Sequence, residues 1–231
     1  MKPILFNTEM VRAILDGRKT VTRRVVKPQP GDVYSGGNVE LRRHTDGPHK
    51  GEWHCYREMP PLDKWTNRPW GGQIKPPYQT GDILYVRETW NTTDDCGLFP
   101  PWPSTGIRYM YLADAPESQA AKDAKWRPSI HMPKAAARIF LRVTDVRAEQ
   151  LQEITTEDCY NEGVPSYYEH FTRLIINGKD YSEEPEMIES FSCLWDSTIK
   201  KKDLPLYGWD ANPWVWVTEF ERVEENDVEA H

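Results

Sequence analysis

Apolar positions recur at helical spacing near the start of the chain and at two-residue spacing in several later segments. Residues 10–15 place apolar side chains on one face of a helix, which Asn7 or Thr8 can cap. Gly17 follows this segment and is a natural helix end. Polar and apolar residues then alternate over 20–26, which is typical of a strand. The pattern predicts a short helix that leads through a tight turn into a strand.

The later segments predict short strands, few helices and long loops. A capping-box-like start predicts a helix over 155–163, and an apolar face predicts another over 189–200. Strands are predicted over 83–90, 106–112, 136–146 and 214–220. This order of elements favours the α+β class, as a small mixed β-barrel, over repeated βαβ units.

Two long segments, at about 28–80 and 91–130, interrupt these elements. The first is rich in glycine and proline and has weak periodicity, which indicates an extended loop or insertion. We therefore predict a single domain over 1–223 that carries both segments as insertions, followed by an acidic tail over 224–231.

The charge distribution narrows the class of ligand. The 231 residues carry a net charge of −7, which argues against a protein that coats nucleic acid non-specifically. The segment 12–27 is nevertheless strongly basic, with six Lys or Arg residues and only Asp16 as an acid. A basic strip on an acidic protein suits a small anionic or nucleotide-like ligand.

Membrane and secretory signals are missing from the sequence. No apolar run approaches the ~20 residues that a membrane helix needs. The first residues lack the apolar core and the small-residue cleavage site of a secretory leader. We therefore expect no membrane partner and a cytoplasmic location.

The cysteines and histidines do not predict a metal site. The four cysteines form no CxxC pair, so reduced thiols are expected. His44, His49, His54 and Cys55 lie close in sequence, but their spacing fits no standard zinc pattern. Because the segment is rich in glycine and proline, we interpret it as a solvated loop with scattered histidines. We predict no metal and no cofactor.

Four pieces of the chain resemble one family when they are taken together. They are GRKTVTRR at 17–24, Gly81-Asp82 leading into 86–88, the long strand that enters 151–163, and the closing Trp-Val strand. This set resembles the ASCH domain family, whose fold is PUA-like. The longer form here is similar to phage and prophage members, which share an opening of the type KPILF-TEMVRAILDGRKT-TRR and a late NPWVWV-EF. A phage-encoded chain would work in the cytoplasm of a bacterial host.

The resemblance implies a function in nucleotide or RNA chemistry. Some small bacterial members are amidohydrolases that remove the acetyl group from N4-acetylcytidine, and another is described as a ribonuclease. In the amidohydrolases a Lys and a Thr of the GRKTxT segment act with a Glu from the helix after the long strand. The matching residues are Lys19 and Thr22 and, with a one-residue gap, Glu162.

These residue types fit amide hydrolysis, which needs a nucleophile, a proton acceptor and a stabilised oxyanion. The Thr22 hydroxyl needs a base, and a lysine amine whose pKa is lowered by neighbouring cations can serve. Glu162 could orient Lys19 or accept a proton from the cytosine amine. In a regular strand Thr20 and Thr22 would share one face and Lys19 the other, so Lys19 and Thr22 converge only if the turn after Gly17 is irregular.

Further residues are candidates for substrate binding. Arginines beside Lys19 could hold a phosphate, and Glu88 could pair with one of them or contact a ligand. The loop at 126–133 combines Trp, Arg and His, which could stack on a base and read its edge. A hydrophobic plug that closes one end of the barrel is an equal alternative. The candidates are Arg18, Thr20, Arg23, Arg24, Glu88, Trp90, Trp126, Arg127 and His131.

Three alternatives to an amidohydrolase remain open. The chain could be a non-catalytic module that binds RNA or a modified base. It could be a metal-free ribonuclease, for which His131 is the best-placed residue. It could also be a phage protein that binds a host factor through its long loops. The acidic net charge favours a nucleoside over a polymer as ligand.

Overall fold

A computed structural model describes residues 1–30, 39–57, 73–92, 109–115, 123–164 and 187–224. Within these ranges the strands are β1 (Lys2–Leu5), β2 (Val21–Val25), β3 (Val39–Arg43), β4 (Trp53–Arg57), β5 (Ile83–Arg87), β6 (Trp90–Thr92), β7 (Tyr109–Tyr111), β8 (Phe140–Gln150) and β9 (Trp214–Val223). The helices are α1 (Thr8–Leu15), α2 (Thr156–Asn161), α3 (Met187–Thr198) and α4 (Leu204–Tyr207).

The strands form one large sheet and two small ones. The large sheet has the order β1-β5-β8-β9-β2, with β1 parallel to β5 and β2 antiparallel to β9. β3 pairs with β4, and β6 pairs with β7. The predicted α+β class is confirmed. In the described ranges the large sheet is open, with β1 and β2 at its edges, and no closed barrel is found there.

The described chain divides into two compact units. The first unit comprises residues 1–20, 80–144 and 220 onward, and the second comprises residues 21–79 and 145–219. The prediction that the chain forms a single domain stays a prediction. Among the described residues no helix is both long enough and apolar enough to cross a membrane.

In the first unit α1 begins and ends where the sequence predicts. The Asn7 side chain accepts a hydrogen bond from the Met10 N–H at 2.8 Å, and Gly17 takes a φ of +75°, which favours glycine. The backbone N–H groups of Arg18 and Lys19 both donate to the carbonyl of Ala13, at 2.9 and 3.0 Å. The chain after Gly17 therefore turns back on the helix before β2 begins, and this turn is irregular.

In the second unit the core packs α2 and α3 beside β9. Leu151, Val215 and Val217 are fully buried there with Phe191 of α3. The start of α2 is fixed by a capping box in which Thr155 and Asp158 exchange hydrogen bonds. This cap sets the direction of the helix and so the positions of its polar residues.

Two predictions need correction. The segment at 28–80 is predicted to be an extended loop or an insertion, but it is not all loop, because β3 and β4 form a hairpin in it with five paired positions. The long strand begins at Phe140 rather than 136, and a 3-10 turn, Lys134–Ala136, precedes it after Pro133. Of the strand predicted over 106–112, residues 106–108 lie outside the described residues, Tyr109–Tyr111 form β7, and a 3-10 turn begins at Leu112.

Candidate functional site

Buried charged side chains are candidates for a functional site. Within the described ranges four Lys, Arg, Asp or Glu residues are buried: Lys19, Arg23, Glu88 and Glu162. Removing an ion from water costs several kcal/mol even after relaxation. All four are residues that the sequence selects as site candidates. Thr22 is buried as well, at 2% exposure.

In the second unit Arg23 lies at the centre of a charged cluster, the Arg23 cluster, with Arg147, Glu149, Asp158 and Glu162. The Arg23 side chain is only 1% exposed. Its Nε and Nη2 donate to Glu149 Oε1 at 2.9 and 2.6 Å, and its Nη1 donates to Glu162 Oε1 at 3.4 Å. Asp158 Oδ2 lies 3.4 Å from Nη2. One buried cation therefore faces three carboxylates.

Arg147 supplies the second cation of this cluster. It lies 3.3 Å from Glu149 and 3.6 Å from Asp158, and it also pairs with Glu219. Two guanidinium groups thus meet four carboxylates. When all of them are ionised, the group carries a surplus of negative charge.

The helix α2 brings two of the acids to Arg23. Asp158 and Glu162 are four residues apart and so share one face of the helix. Burial opposes ionisation of Asp158, but hydrogen bonds from Thr155 and the charges of Arg23 and Arg147 outweigh it and lower its pKa. Burial raises the pKa of Cys159 to about 11, so this neighbour is a thiol at neutral pH.

Lys19 lies in the first unit and Thr22 in the second. Lys19 is 2% exposed, and its ammonium nitrogen lies 5.5 Å from the centroid of the Phe6 ring, a cation–π distance. Thr22 lies on β2, where it pairs across the sheet with Thr218 of β9. The Thr218 hydroxyl is buried and has no hydrogen-bond partner in the described part of the chain.

A second cluster, the Glu88 cluster of Glu88, Asp114, Tyr111 and Arg138, lies in the first unit. Arg138 Nε and Nη2 donate to the two carboxylate oxygens of Glu88 at 2.9 and 3.0 Å. The same guanidinium bonds Asp114 at 2.5 and 3.0 Å and lies 3.9 Å above the Tyr111 ring. Glu88 is thus held by Arg138, a residue that the sequence analysis does not select.

The pKa values of Glu88 and Arg138 are both raised, but by different causes. Burial raises the pKa of Glu88, and the hydrogen bonds from Arg138 only partly oppose this. For Arg138 the bonds to Glu88 and Asp114 outweigh burial and raise its pKa. Arg138 is partly exposed, and two carboxylates stabilise its charged form. Glu88 is fully buried, and its charged form is stabilised by Arg138. Burial also raises the pKa of Tyr111 to about 12.

Part of the loop at 126–133 packs against Trp90, the first residue of β6. Trp90 is 5% exposed and packs with Met132 and Ala136. Arg127 exchanges two backbone hydrogen bonds with Trp90, and its guanidinium carbon lies 5.2 Å from the centroid of the indole ring. Trp126 is half-buried, whereas His131 is exposed.

The remaining candidates lie at the surface or at its edge. Arg18 is half-buried and pairs with Asp16 at 3.2 Å, at the end of α1. Thr20 is exposed and accepts a backbone hydrogen bond from Phe220 at 2.9 Å. Arg24 is exposed on β2.

Of the residues selected from sequence, the structure brings Arg23 and Glu162 into contact. It also adds partners that the sequence analysis does not select. Asp158 has a local signal in its capping box, and Arg147 and Glu149 are polar residues of the long strand. No local pattern joins these residues to Arg23, which is 126 residues away from Glu149.

No family model, no curated protein and no solved structure matches this chain. The likeness to the ASCH family therefore rests on the motifs quoted above. Any assignment of function depends on those motifs and on the geometry of the buried charges.

Proposed function

We propose that the chain has a PUA-like fold of the ASCH type and hydrolyses the amide bond of an N4-acylated cytosine nucleoside. The catalytic set is Lys19, Thr22 and Glu162. The observation that carries this proposal is that every buried Lys, Arg, Asp or Glu in the described ranges is a residue selected as a site candidate. Charges buried at such cost are characteristic of functional sites.

Each residue has one role in the proposed reaction. The Thr22 hydroxyl oxygen attacks the acyl carbonyl carbon while the neutral Lys19 amine takes its proton. The carbon–nitrogen bond then breaks, Lys19 returns the proton to the cytosine amine, and an acyl-threonine ester remains. Water hydrolyses this ester to the carboxylic acid and restores the Thr22 hydroxyl. Glu162 orients the groups that exchange protons.

Arg23 acts as a positioning residue for Glu162. Its shortest bonds go to Glu149, whereas its contact with Glu162 is 3.4 Å. The guanidinium therefore fixes the Glu162 carboxylate more loosely than that of Glu149. A buried carboxylate with this looser contact suits a group that orients neighbouring proton donors.

The test is hydrolysis of N4-acetylcytidine, followed by chromatographic detection of cytidine. Wild type is expected to release cytidine, and Lys19→Met, Thr22→Val and Glu162→Gln are each expected to be slower by at least about 100-fold. These substitutions preserve the approximate size of each side chain, so the variants are expected to fold. Far-ultraviolet circular dichroism checks that they do. Lys27→Met, at an exposed lysine outside the site, is the matched control and should retain full activity.

Folded wild type that releases no cytidine contradicts the proposal. Binding of cytidine without turnover would then support the non-catalytic alternative, a module that reads RNA or a modified base. Shortening of RNA in the presence of EDTA would support the ribonuclease. If neither cytidine binding nor RNA shortening is observed, the remaining alternative, a protein that binds a host factor, is favoured.

A further inference from the structure

The turn of the β3–β4 hairpin gathers residues that are scattered in sequence. We call His44, His49, Glu52, His54 and Tyr56 the histidine cluster. The ring centroids of His44 and His54 are 4.8 Å apart, and those of His49 and His54 are 5.4 Å apart. The solvated loop with scattered histidines predicted from sequence is therefore an ordered cluster, because the hairpin folds its two strands against each other.

Three potential ligand atoms converge at one point of this cluster. His49 Nδ1 and His54 Nε2 each lie 3.0 Å from the same oxygen, Glu52 Oε2. The ligand atoms of these three residues all lie within 4.8 Å of one another. A tetrahedral ion with bonds of about 2.1 Å separates its ligand atoms by about 3.4 Å. The spacing is therefore close to that of a metal site.

The backbone holds these ligands in place. His44 N–H donates to the Glu52 carbonyl at 2.9 Å, and Gly51 N–H donates to the His44 carbonyl at 2.8 Å. Gly51 has a φ of +87°, which few other residues adopt. Trp53, next to His54 on β4, packs edge-on against Trp216 at 5.2 Å. Little ordering is therefore required when an ion binds.

The surroundings also suit an ion. His54 is buried, whereas the His49 side chain is 52% exposed, so an ion can approach from solvent. Tyr56 Oη lies 2.8 Å from His44 Nε2 and fixes that ring beside the three ligands.

We infer that His49, Glu52 and His54 bind one Zn²⁺ ion. Two imidazole nitrogens and one carboxylate oxygen form a ligand set that zinc accepts, whereas Mg²⁺ and Ca²⁺ prefer oxygen ligands alone. On binding, each neutral imidazole carries its proton on the ring nitrogen that does not face the ion. The fourth position of the ion is filled by water. None of these residues belongs to the proposed catalytic set, so this inference and the amidohydrolase proposal fail separately.

The test is equilibrium dialysis of the full chain against Zn²⁺ with excess Mg²⁺ present, which occupies weak acidic sites. Wild type is expected to bind one Zn²⁺ that Mg²⁺ does not displace. His49→Ala and Glu52→Ala should each weaken binding by at least about 100-fold, since even loss of an outer group costs 10- to 100-fold. Glu40→Ala removes an exposed carboxylate of the same hairpin and should bind as wild type does.

His49 is exposed, so its removal leaves folding intact, which circular dichroism verifies. Substitution of Co²⁺ for Zn²⁺ gives a second readout, visible absorption bands of tetrahedral cobalt that His49→Ala should abolish. The inference is overturned if wild type binds no Zn²⁺, or if His49→Ala and Glu52→Ala bind Zn²⁺ as tightly as wild type does.

Discussion

The Arg23 cluster and the Glu88 cluster each hold a buried carboxylate, but the main cation is buried only in the first. Arg23 contacts Glu149, Asp158 and the buried Glu162, and Arg147 lies beside Glu149 and Asp158 as a second cation. Glu88 is held by Arg138, which is partly exposed and also pairs with the exposed Asp114. The two clusters therefore differ in whether the cation is buried together with its carboxylate.

This difference predicts different consequences when the charge of Arg23 or of Glu88 is removed. Without Arg23, the three carboxylates would lose the cation that they share, and Arg147 would remain beside Glu149 and Asp158. Without its negative charge, Glu88 would still leave Arg138 paired with Asp114. We therefore expect stability to depend on the charge of Arg23 and to tolerate neutralisation of Glu88.

The largest expected effect is on stability when Arg23 is replaced by methionine. Loss of the cation leaves Glu149, Asp158 and Glu162 without their common partner, and breaking a buried ion pair from one side costs about 3–5 kcal/mol. We expect Arg23→Met to lower the free energy of unfolding by that amount in urea denaturation. Arg42→Met, at an exposed pair with Glu40, should change it by less than about 1 kcal/mol. Equal effects of the two substitutions would contradict the comparison.

The sequence predicts local features well and charge partners poorly. α1 is predicted because its cap, Asn7, and its end, Gly17, lie beside the apolar stripe. The β3–β4 hairpin is missed because the alternation of Val39 and Leu41 with Glu40 and Arg42 covers only a few residues within a segment rich in glycine and proline. Arg138 pairs with Glu88 across 50 residues, a distance at which no local pattern carries information.

The candidate site shows the same limit. Lys19 and Glu162 are selected through a resemblance between motifs and Arg23 as a cation near Lys19, and their burial is visible only in the structure. The spacing of His44, His49, His54 and Cys55 along the chain fits no zinc pattern, so the sequence predicts a solvated loop there. A hairpin brings residues from both of its strands together, so the spacing along the chain does not describe their distance in space.

An intermediate effect is expected when Asp158 is replaced by asparagine. The pKa of Asp158 is lowered in the folded state, so its ionised form stabilises the protein. We expect Asp158→Asn to cost about 1.5–3 kcal/mol at pH 7, the range for hydrogen bonds to charged groups. Glu157→Gln, at an exposed neighbour on α2, should change the stability by less than about 0.5 kcal/mol. A cost for Asp158→Asn no larger than for this control would show that the carboxylate contributes nothing to the cluster.

The smallest effect at neutral pH is expected at Glu88. Glu88→Gln keeps the shape of the side chain and an oxygen that accepts from Arg138, and it removes the charge whose burial raises the pKa of Glu88. We therefore expect the stability of Glu88→Gln in urea at pH 7 to lie within about 1 kcal/mol of wild type. A loss of 3 kcal/mol or more would show that Glu88 needs its charge as much as the Arg23 cluster needs its cation.

As the pH falls, the contributions of Glu88 and Asp158 to the free energy of unfolding should change in opposite directions. The pKa of Glu88 is raised from 4.5, so between 4.5 and the folded value the folded state binds the proton and the unfolded state does not. Stability from this group therefore rises as pH falls through the folded pKa, and wild type should gain relative to Glu88→Gln. The pKa of Asp158 is lowered from 3.8, so its stabilisation is present above 3.8 and is lost as pH falls towards the folded value. Urea denaturation of wild type and both variants from pH 7 to pH 3 measures these signs, and the same sign at both sites would remove the distinction between the clusters.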